Sequence, residues 1–169
     1  MKECLTCLVK DCDTIMMAYG QGSVKQNGIY DEVLGILMKN GKKIVEFPDI
    51  MPNPTYKKVL EGAELAKKNH VQMIPVGVIP TTAGTGSECN GAAVITNEEE
   101  KVKTGYDYPK CNPRFALMDP SYTFSVPEKQ MVSGAFDSLS HMMETYFSEP
   151  DEQNVSDEIT EALMRNVIR

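Results

Sequence analysis

The 169-residue sequence lacks several features that would place it in a function class at once. It has no excess of basic charge: its formal net charge is −7, whereas binding to a nucleic-acid backbone needs a basic face. It has no apolar run of the roughly 20 residues that a membrane span needs. Residues 1–10 include the acidic Glu3 and no long apolar stretch, unlike a signal peptide. These absences predict a cytoplasmic protein without nucleic-acid or membrane partners.

The sequence also has few cysteine or histidine motifs with the spacing of a metal-binding or redox site. The five cysteines are an odd count in a chain without a secretion signal, which favours reduced thiols over a disulfide framework. Cys4 and Cys7 have the Cys-x-x-Cys spacing of a zinc or redox site, but no second such pair follows. The only histidines are His70 and His141. We therefore expect plain thiols near the N-terminus, with a structural zinc site as the alternative.

What is present is an ordinary globular composition, with 41% apolar and 24% charged residues, and an alternating pattern of elements. Short apolar runs predict strands, and apolar residues at helical spacing predict helices between them. The predicted strands are 14–19, 43–47 and 71–79, and the predicted helices are 30–40 and 56–69. This order predicts an α/β fold with a parallel sheet and crossover helices.

The rest of the chain continues this pattern and then becomes helical. Residues 91–95 and 103–106 predict a hairpin around the polar loop 97–100, and residues 115–118 predict a further short strand. Residues 127–147 and 156–169 then predict two helices, with Pro127 at the first helical position, where its missing N–H costs nothing. We place the boundary between an α/β part and a helical part near Ser125.

Two glycine-containing loops follow predicted strands and are candidate binding elements. Gly20-Gln21-Gly22-Ser23 could let a backbone approach a phosphate closely, although a bare turn is the alternative and the Rossmann spacing is not met at Lys25. The segment 80–88 contains three threonines, two glycines and a serine, a composition that suits a phosphate or a sugar edge. It is not a P-loop, and a polar loop without a ligand is the alternative.

A candidate metal site lies on the first predicted helix of the helical part. Asp137 and His141 are four residues apart, so they share one helix face. A carboxylate and an imidazole at that spacing can reach one divalent metal ion. A solvated Asp–His pair on a surface helix is the alternative.

Taken in this order, the three stretches resemble the iron-containing alcohol dehydrogenase family, and most closely its butanol dehydrogenase-like branch. The resemblance covers nearly the whole chain after Asp13. The Thr-rich loop and the Asp-x-x-x-His helix are its specific parts, and the glycine turn is not. The matching stretches are 19–25, 46–47, 52–54, 81–88, 94–99, 119–123 and 134–141.

The resemblance implies a Rossmann-like NAD(P)-binding domain, here residues 1–124, and the start of an all-helical metal-binding domain, here residues 125–169. The implied reaction is hydride transfer between a primary alcohol, such as butanol, and NADP or NAD, assisted by Fe²⁺ or Zn²⁺; the reverse reduces an aldehyde. Asp137 and His141 match the first two metal ligands. The implied cofactor contacts are Gly20, Gly22, Ser23, Asn53, Thr81, Thr82, Ala83, Gly84, Thr85, Lys103 and Tyr122.

Ser23 and Lys25 near the implied ribose favour NADP, since a hydroxyl and a cation suit a 2′-phosphate.

Several departures from the family pattern predict an internally deleted and C-terminally truncated form. Two further metal histidines and a Gly-Gly-Gly-Ser-x-x-Asp segment that should follow His70 have no counterpart, and Gln21 replaces a glycine. We expect little or no alcohol oxidation by this chain alone, together with marginal stability or self-association into a homo-oligomer. A non-catalytic dinucleotide-binding module is the alternative function, and a partner polypeptide that supplies the missing histidines is a third.

Overall fold

The chain folds into two compact units. A computed structural model of the chain describes residues 2–71, 76–148 and 154–169. The first unit comprises residues 1–81 and 86–122, and the second comprises residues 82–85 and 123–169. Within the described residues, no helix combines the length and apolarity that crossing a bilayer requires. The assignment of a cofactor domain and a metal domain to 1–124 and 125–169 stays a prediction.

The first unit begins with alternating helices and strands. Its elements are α1 (Lys2–Leu8), β1 (Thr14–Ala18), α2 (Ser23–Gln26), α3 (Ile29–Lys39), β2 (Lys43–Phe47) and α4 (Tyr56–Lys68). Strands β1 and β2 pair in parallel, with Thr14 opposite Lys43 and Ala18 opposite Phe47. The predicted strands and helices of this region are confirmed to within two residues at each end. Helix α1 was not predicted, because Leu5, Leu8 and Val9 are too few to give a helical period.

Helix α3 ends where its sequence predicts. Gly41, at the predicted C′ position, has φ +68°, which a side chain would disfavour. Its N–H bonds to Met38 O at 3.0 Å, and the N–H of Lys42 bonds to Leu37 O at 3.2 Å. This is a Schellman motif, which satisfies the last carbonyls of the helix and turns the chain into β2.

The rest of the first unit contains β3 (Gly77–Val78), the antiparallel hairpin β4 (Ala92–Asn97) and β5 (Val102–Asp107), and β6 (Phe115–Ala116). The hairpin is confirmed, and β3 pairs with β6 in parallel. The predicted α/β fold with parallel strand pairing is confirmed; among the described residues, β1–β2 and β3–β6 form two separate two-stranded sheets. The pattern of strands and helices predicts parallel pairing, but it does not show which strands are neighbours. Residues 72–75 of the predicted strand 71–79 lie outside the described residues.

The core of the first unit lies between its N-terminal helices and β1–β2. Its buried apolar side chains come mainly from α1 and α3, where they recur at helical spacing. They are Leu5, Val9, Ile29, Val33, Ile36, Leu37 and Tyr122. Tyr122 follows Asp119-Pro120 in a 3₁₀ turn (Pro120–Thr123) and is the long-range member of this cluster.

The second unit contains the loop 82–85 and two helices, α5 (Glu128–Tyr146) and α6 (Val155–Ile168). The two helices pack on each other, and Tyr146 Oη on α5 donates to Glu161 Oε1 on α6 at 2.9 Å. Both helices are confirmed. Pro127 lies one position before that predicted, as the N-cap with ψ 141°, because its extended backbone leaves the helix to begin at Glu128.

Candidate functional site

The Thr-rich loop 82–85 lies against helix α5 within the second unit. A Cβ atom built on Gly84 would lie 3.2 Å from Ser138 Oγ and 3.4 Å from Gly134 O. One built on Gly134 would lie 3.6 Å from Ala83 O. Gly84 also has φ +93°, a conformation that strains any other residue. The glycines therefore allow close packing of the loop on the first half of α5.

Asp137 and His141 project from the same helix, on either side of Ser138 in the sequence. His141 Nε2 lies 3.9 Å from Asp137 Oδ2, so the two side chains are close enough to converge on one ion. Both are exposed, the imidazole to 71% and the carboxylate to 64%. The other ring nitrogen, Nδ1, lies 3.9 Å from Glu144 Oε2. The predicted metal pair thus faces solvent on the helix that packs against the predicted cofactor loop.

These two donors fit a divalent ion only in part. A catalytic site usually has three or more protein ligands and keeps one position open for water or substrate. Across residues 2–71, 76–148 and 154–169, no group of three or more His, Cys, Asp or Glu side chains is placed to hold a metal ion. All five cysteines are free thiols, and none of them joins the Asp137–His141 pair. The described residues therefore offer two candidate ligands and not a full coordination shell.

The glycine turn after β1 lies in the first unit and begins helix α2. Gly22 has φ +118° at the N-cap position, and Ser23 is the first helical residue. A Cβ atom on Gly20 would lie 3.5 Å from Ile50 O, an ordinary contact. Gln21 is exposed. The left-handed backbone at Gly22 is therefore the feature of this turn that requires glycine.

Beside this turn, a tyrosine pair, a carboxylate and a lysine form a cluster. Tyr19 Oη donates to Glu46 Oε2 at 2.6 Å. The rings of Tyr19 and Tyr30 meet edge to face, with centroids 5.2 Å apart. Lys25 Nζ lies 5.2 Å from the Tyr19 centroid and 4.6 Å from that of Tyr30. The lysine is thus held by cation–π contacts close to a carboxylate.

Desolvation and hydrogen bonds in this cluster shift the pKa values of Tyr19, Tyr30 and Glu46. Desolvation, and then the hydrogen bond to Glu46, raises the pKa of Tyr19 to about 12. The same two causes raise the pKa of Tyr30 to about 12. Bonds from both phenols lower the pKa of the Glu46 carboxyl. Glu46 is therefore a carboxylate at neutral pH, at the carboxyl end of β2.

The other predicted cofactor residues are dispersed. Asn53 is exposed, with a left-handed φ of +54°, in the Pro52-Asn53-Pro54 turn. Lys103 is exposed on β5 opposite Thr96. Tyr122 is buried, and its hydroxyl donates to Glu32 Oε2 at 2.8 Å; burial and then this carboxylate raise its pKa. Thr81, in the first unit, lines a cavity together with Tyr19.

Sequence reasoning missed Glu46 and Tyr30 as candidate site residues. The available signal was an acidic residue at the end of the strand after a glycine turn, about 20 residues on, where dinucleotide-binding folds read the ribose. Glu46 is 24 residues from Gly22. The contact with Tyr19 depends on the parallel register of β1 and β2, which places Met17 opposite Glu46.

Comparison with a family model shows where the chain is similar to known proteins. The model described as iron-containing alcohol dehydrogenase matches residues 2–74 and 67–120, which together are more than half of the chain. The two matched ranges meet within residues 67–74, at the end of α4 and just before β3.

Individual relatives agree with this match. NADH-dependent butanol dehydrogenase A of Clostridium acetobutylicum is 31% identical over 194 residues, covering 92% of this chain and 50% of the relative. NADPH-dependent aldehyde reductase YqhD of Escherichia coli is 26% identical, covering 91% of this chain and 50% of the relative. The solved NADH-dependent butanol dehydrogenase A of Thermotoga maritima superposes with a TM-score of 0.90 at 31% identity, covering 96% of this chain and 51% of the other.

The alignments also reveal a length difference. The chain spans about half the length of the relatives that it matches. In the Clostridium alignment, 92% of the chain is about 155 residues against 194 aligned positions, so roughly 40 positions have no counterpart in this chain.

Proposed function

Because the chain belongs to the iron-containing alcohol dehydrogenase family, we propose that it forms the NAD(P)-binding part of an alcohol or aldehyde oxidoreductase and carries two of its metal ligands. The observation that supports this most directly is the packing of the loop 82–85 on α5. It brings the predicted cofactor loop to the helix that bears Asp137 and His141. Hydride transfer needs such proximity between the cofactor and the reacting carbon.

The role proposed for the chain's own residues is binding and orientation of the cofactor. In the second unit, hydroxyl and amide groups of the loop 82–85 would contact a pyrophosphate and a nicotinamide. In the first unit, the turn at Gly20 and Gly22 is by itself a candidate contact for a ribose. Two protein donors are too few for a catalytic divalent ion, so we assign no metal-assisted step to this chain alone. We therefore expect little or no alcohol oxidation or aldehyde reduction by the purified chain.

A titration of cofactor and metal separately tests this proposal. We expect NADH to bind, as measured by its fluorescence, and Zn²⁺ to bind weakly by calorimetry. Asp137→Ala and His141→Ala should each weaken Zn²⁺ binding by about tenfold or more, because each removes one of two donors. Glu128→Ala, in the first turn of the same helix, is the matched control, and it should change Zn²⁺ affinity little.

Two outcomes would redirect the proposal. Robust NAD(P)H-dependent aldehyde reduction by the purified chain would contradict the expected lack of activity. NADH binding together with Zn²⁺ affinity that neither variant changes would favour the second candidate, a dinucleotide-binding module without catalysis. That candidate is favoured by the partial ligand set at Asp137 and His141.

Of the two dinucleotides, we propose that NAD is preferred, because of the cluster around Glu46. Lys25, which in the sequence favours NADP, lies over Tyr19 and Tyr30. The Glu46 carboxylate would instead repel a 2′-phosphate and accept from a ribose hydroxyl.

The expected result is tighter binding of NADH than of NADPH. Glu46→Gln should improve NADPH binding by about tenfold with little change for NADH, because it removes the charge and keeps an acceptor for Tyr19. Fluorescence titration measures both, and Glu99→Gln, in the exposed hairpin loop, controls for the change in net charge. Tighter binding of NADPH by the unmodified chain would contradict this preference.

A further inference from the structure

Strand β5 is one edge of the hairpin that it forms with β4, and this edge is open to solvent. Among the described residues the hairpin is a sheet of two strands, so the side of β5 away from β4, here called the β5 edge, pairs with no strand. Every residue of β5 is exposed, including Val102 at 46% and Tyr106 at 59%. An open edge strand presents unpaired N–H and C=O groups, which can pair with another strand.

Two backbone bonds show which residues face the β5 edge. Tyr108 N–H donates to Gly91 O at 3.4 Å, so this pair bonds across the hairpin. Thr96 N–H donates instead to Pro54 O at 3.1 Å, so Thr96 and its partner Lys103 form a pair without cross-strand bonds. Bonded and unbonded pairs alternate along an antiparallel ladder, so every second residue of β5 directs its N–H and C=O to the open edge. These residues are Lys103, Gly105 and Asp107.

The outward-facing residues of β5 are complementary to those of a second, antiparallel copy. With Gly105 opposite Gly105 of the second copy, Lys103 of each copy lies opposite Asp107 of the other. Each of these pairs can exchange both of its backbone bonds, because all of the groups face the shared edge. Opposite charges in directly facing cross-strand pairs stabilise a sheet, whereas like charges destabilise it.

Other registers lose this match. A shift of two residues is the smallest that keeps outward-facing groups opposite each other, and it places Lys103 opposite Gly105 or Pro109. A shift of four residues places Lys103 opposite Lys103, or Asp107 opposite Asp107. Like charges then face each other at the centre of the contact. The charges of β5 therefore favour the register centred on Gly105.

The other face of the strand also suits this register. Side chains of successive strand residues point to opposite faces, so Thr104 and Tyr106 share the face away from Lys103 and Asp107. Each threonine would lie opposite the tyrosine of the other copy. Pairs of an aromatic and a β-branched side chain are among those that stabilise antiparallel sheets.

We propose that the β5 edge is an interface between two copies of this chain, which join their hairpins into one antiparallel sheet with a twofold axis at Gly105. A second copy is the occupant because its own strand supplies each charge with its opposite at the position that the register sets. A contact of this symmetry closes on itself, so it produces a dimer and not a fibre. One strand from each copy is a small interface, and the dimer should dissociate on dilution.

Sedimentation velocity of the full chain over a range of concentrations tests the interface with charge exchanges. Lys103→Asp and Asp107→Lys should each weaken dimerisation by about tenfold or more, because like charges would face each other twice. Mixed in equal amounts, the two variants should dimerise with each other, because one then presents acidic side chains where the other presents lysines. Cofactor is left out, because Lys103 is also a predicted cofactor contact.

A matched control separates this contact from the net charge of the chain. Lys101→Asp makes the same change of charge in the hairpin loop, outside the paired strand, and should leave dimerisation nearly unchanged. Its backbone has φ +55°, a conformation that aspartate tolerates.

Amide hydrogen exchange locates the contact. The amides of Lys103, Gly105 and Asp107 should exchange more slowly as the concentration of the chain rises, whereas those of Thr104 and Tyr106, already bonded to β4, should change less. The proposal is overturned if the chain stays monomeric, or if the mixed variants associate no better than either variant alone. It is also overturned if both single variants dimerise like the unmodified chain, which would place self-association on another surface.

Discussion

The two units differ in how they keep their apolar side chains from water. The first buries Leu5, Ile36 and Leu37 to 5% exposure or less. In the second, the one buried residue among those described is Thr160, while Phe136 on α5 and Phe147 at its C-cap are 70% and 73% exposed. Apolar surface contributes to stability only when it is removed from water. The first unit thus has a core of its own, whereas the second has two amphipathic helices without one.

The chain spans about half the length of the relatives that it matches. Helix α6 carries Val155, Ile159 and Leu163 in exposed positions, and exposed apolar faces of this kind suit packing against another protein surface. The self-association predicted from the sequence stays a prediction, and this helix face also supports it.

The largest effect should come from a cavity in the first core. Leu37→Ala removes a side chain that is 3% exposed and should lower the free energy of unfolding of the first unit by about 3 kcal/mol. Leu163→Ala on α6, where the side chain is 52% exposed, is the matched control and should change stability by less than about 0.5 kcal/mol. Urea unfolding followed by circular dichroism, with peptide-level hydrogen exchange to separate the units, measures both. Equal losses would show that the second unit also has a core.

Alkaline pH should weaken the first unit through its tyrosines. The pKa values of Tyr19 and Tyr30 are raised to about 12, and that of Tyr122 is raised by burial and by Glu32. A phenol whose pKa is higher in the folded than in the unfolded chain stabilises fully below its unfolded pKa of about 10. That contribution is lost as pH rises through the folded value. The free energy of unfolding should therefore be steady to about pH 10 and fall between pH 10 and 12.

Tyr122→Phe tests how much of this loss of stability at alkaline pH comes from Tyr122. The variant removes the buried phenol, so its stability should fall less steeply above pH 10 than that of the unmodified chain. Tyr106→Phe, at an exposed hairpin position, is the control and should keep the original slope. An unchanged slope in Tyr122→Phe would mean that the Tyr122–Glu32 contact does not form in solution.

The parts of the fold that the sequence predicts well are those with a local physical cause. Strand β2 has the predicted bounds because an apolar run lies between a helix-ending glycine and a proline, and Gly41 adopts the backbone that its position requires. The neighbours of β1 and β3 were not predictable, because pairing depends on which strands are present. The packing of Gly84 on Ser138 joins residues 54 positions apart, and no local spacing indicates it.

The residues of the candidate site also divide into those with a local sequence signal and those that depend on long-range packing. Asp137 and His141 share a helix face because their spacing is local, as predicted. The Glu46 cluster requires the register of β1 and β2 together with the position of α3, so only Glu46 itself has a signal in the sequence. The exposed state of the Asp137–His141 pair was also not predictable, since residue spacing on a helix does not specify what packs against it.

The smallest effect should be local to the second unit, where a capping box at the start of α6 stabilises that helix. Asn154 Oδ1 accepts from Ser156 N at 2.8 Å and from Asp157 N at 3.4 Å, while Asp157 Oδ2 accepts from Asn154 N at 3.1 Å. Asn154→Ala opens this capping box and should cost about 1 kcal/mol, seen as faster amide exchange in α6. Asn166→Ala, in the last turn of the same helix, is the control and should change exchange little. Because the second unit buries so little apolar surface, the same loss should be a larger fraction of its stability than it would be in the first. Unchanged exchange in α6 would mean that its stability comes from packing rather than from its cap.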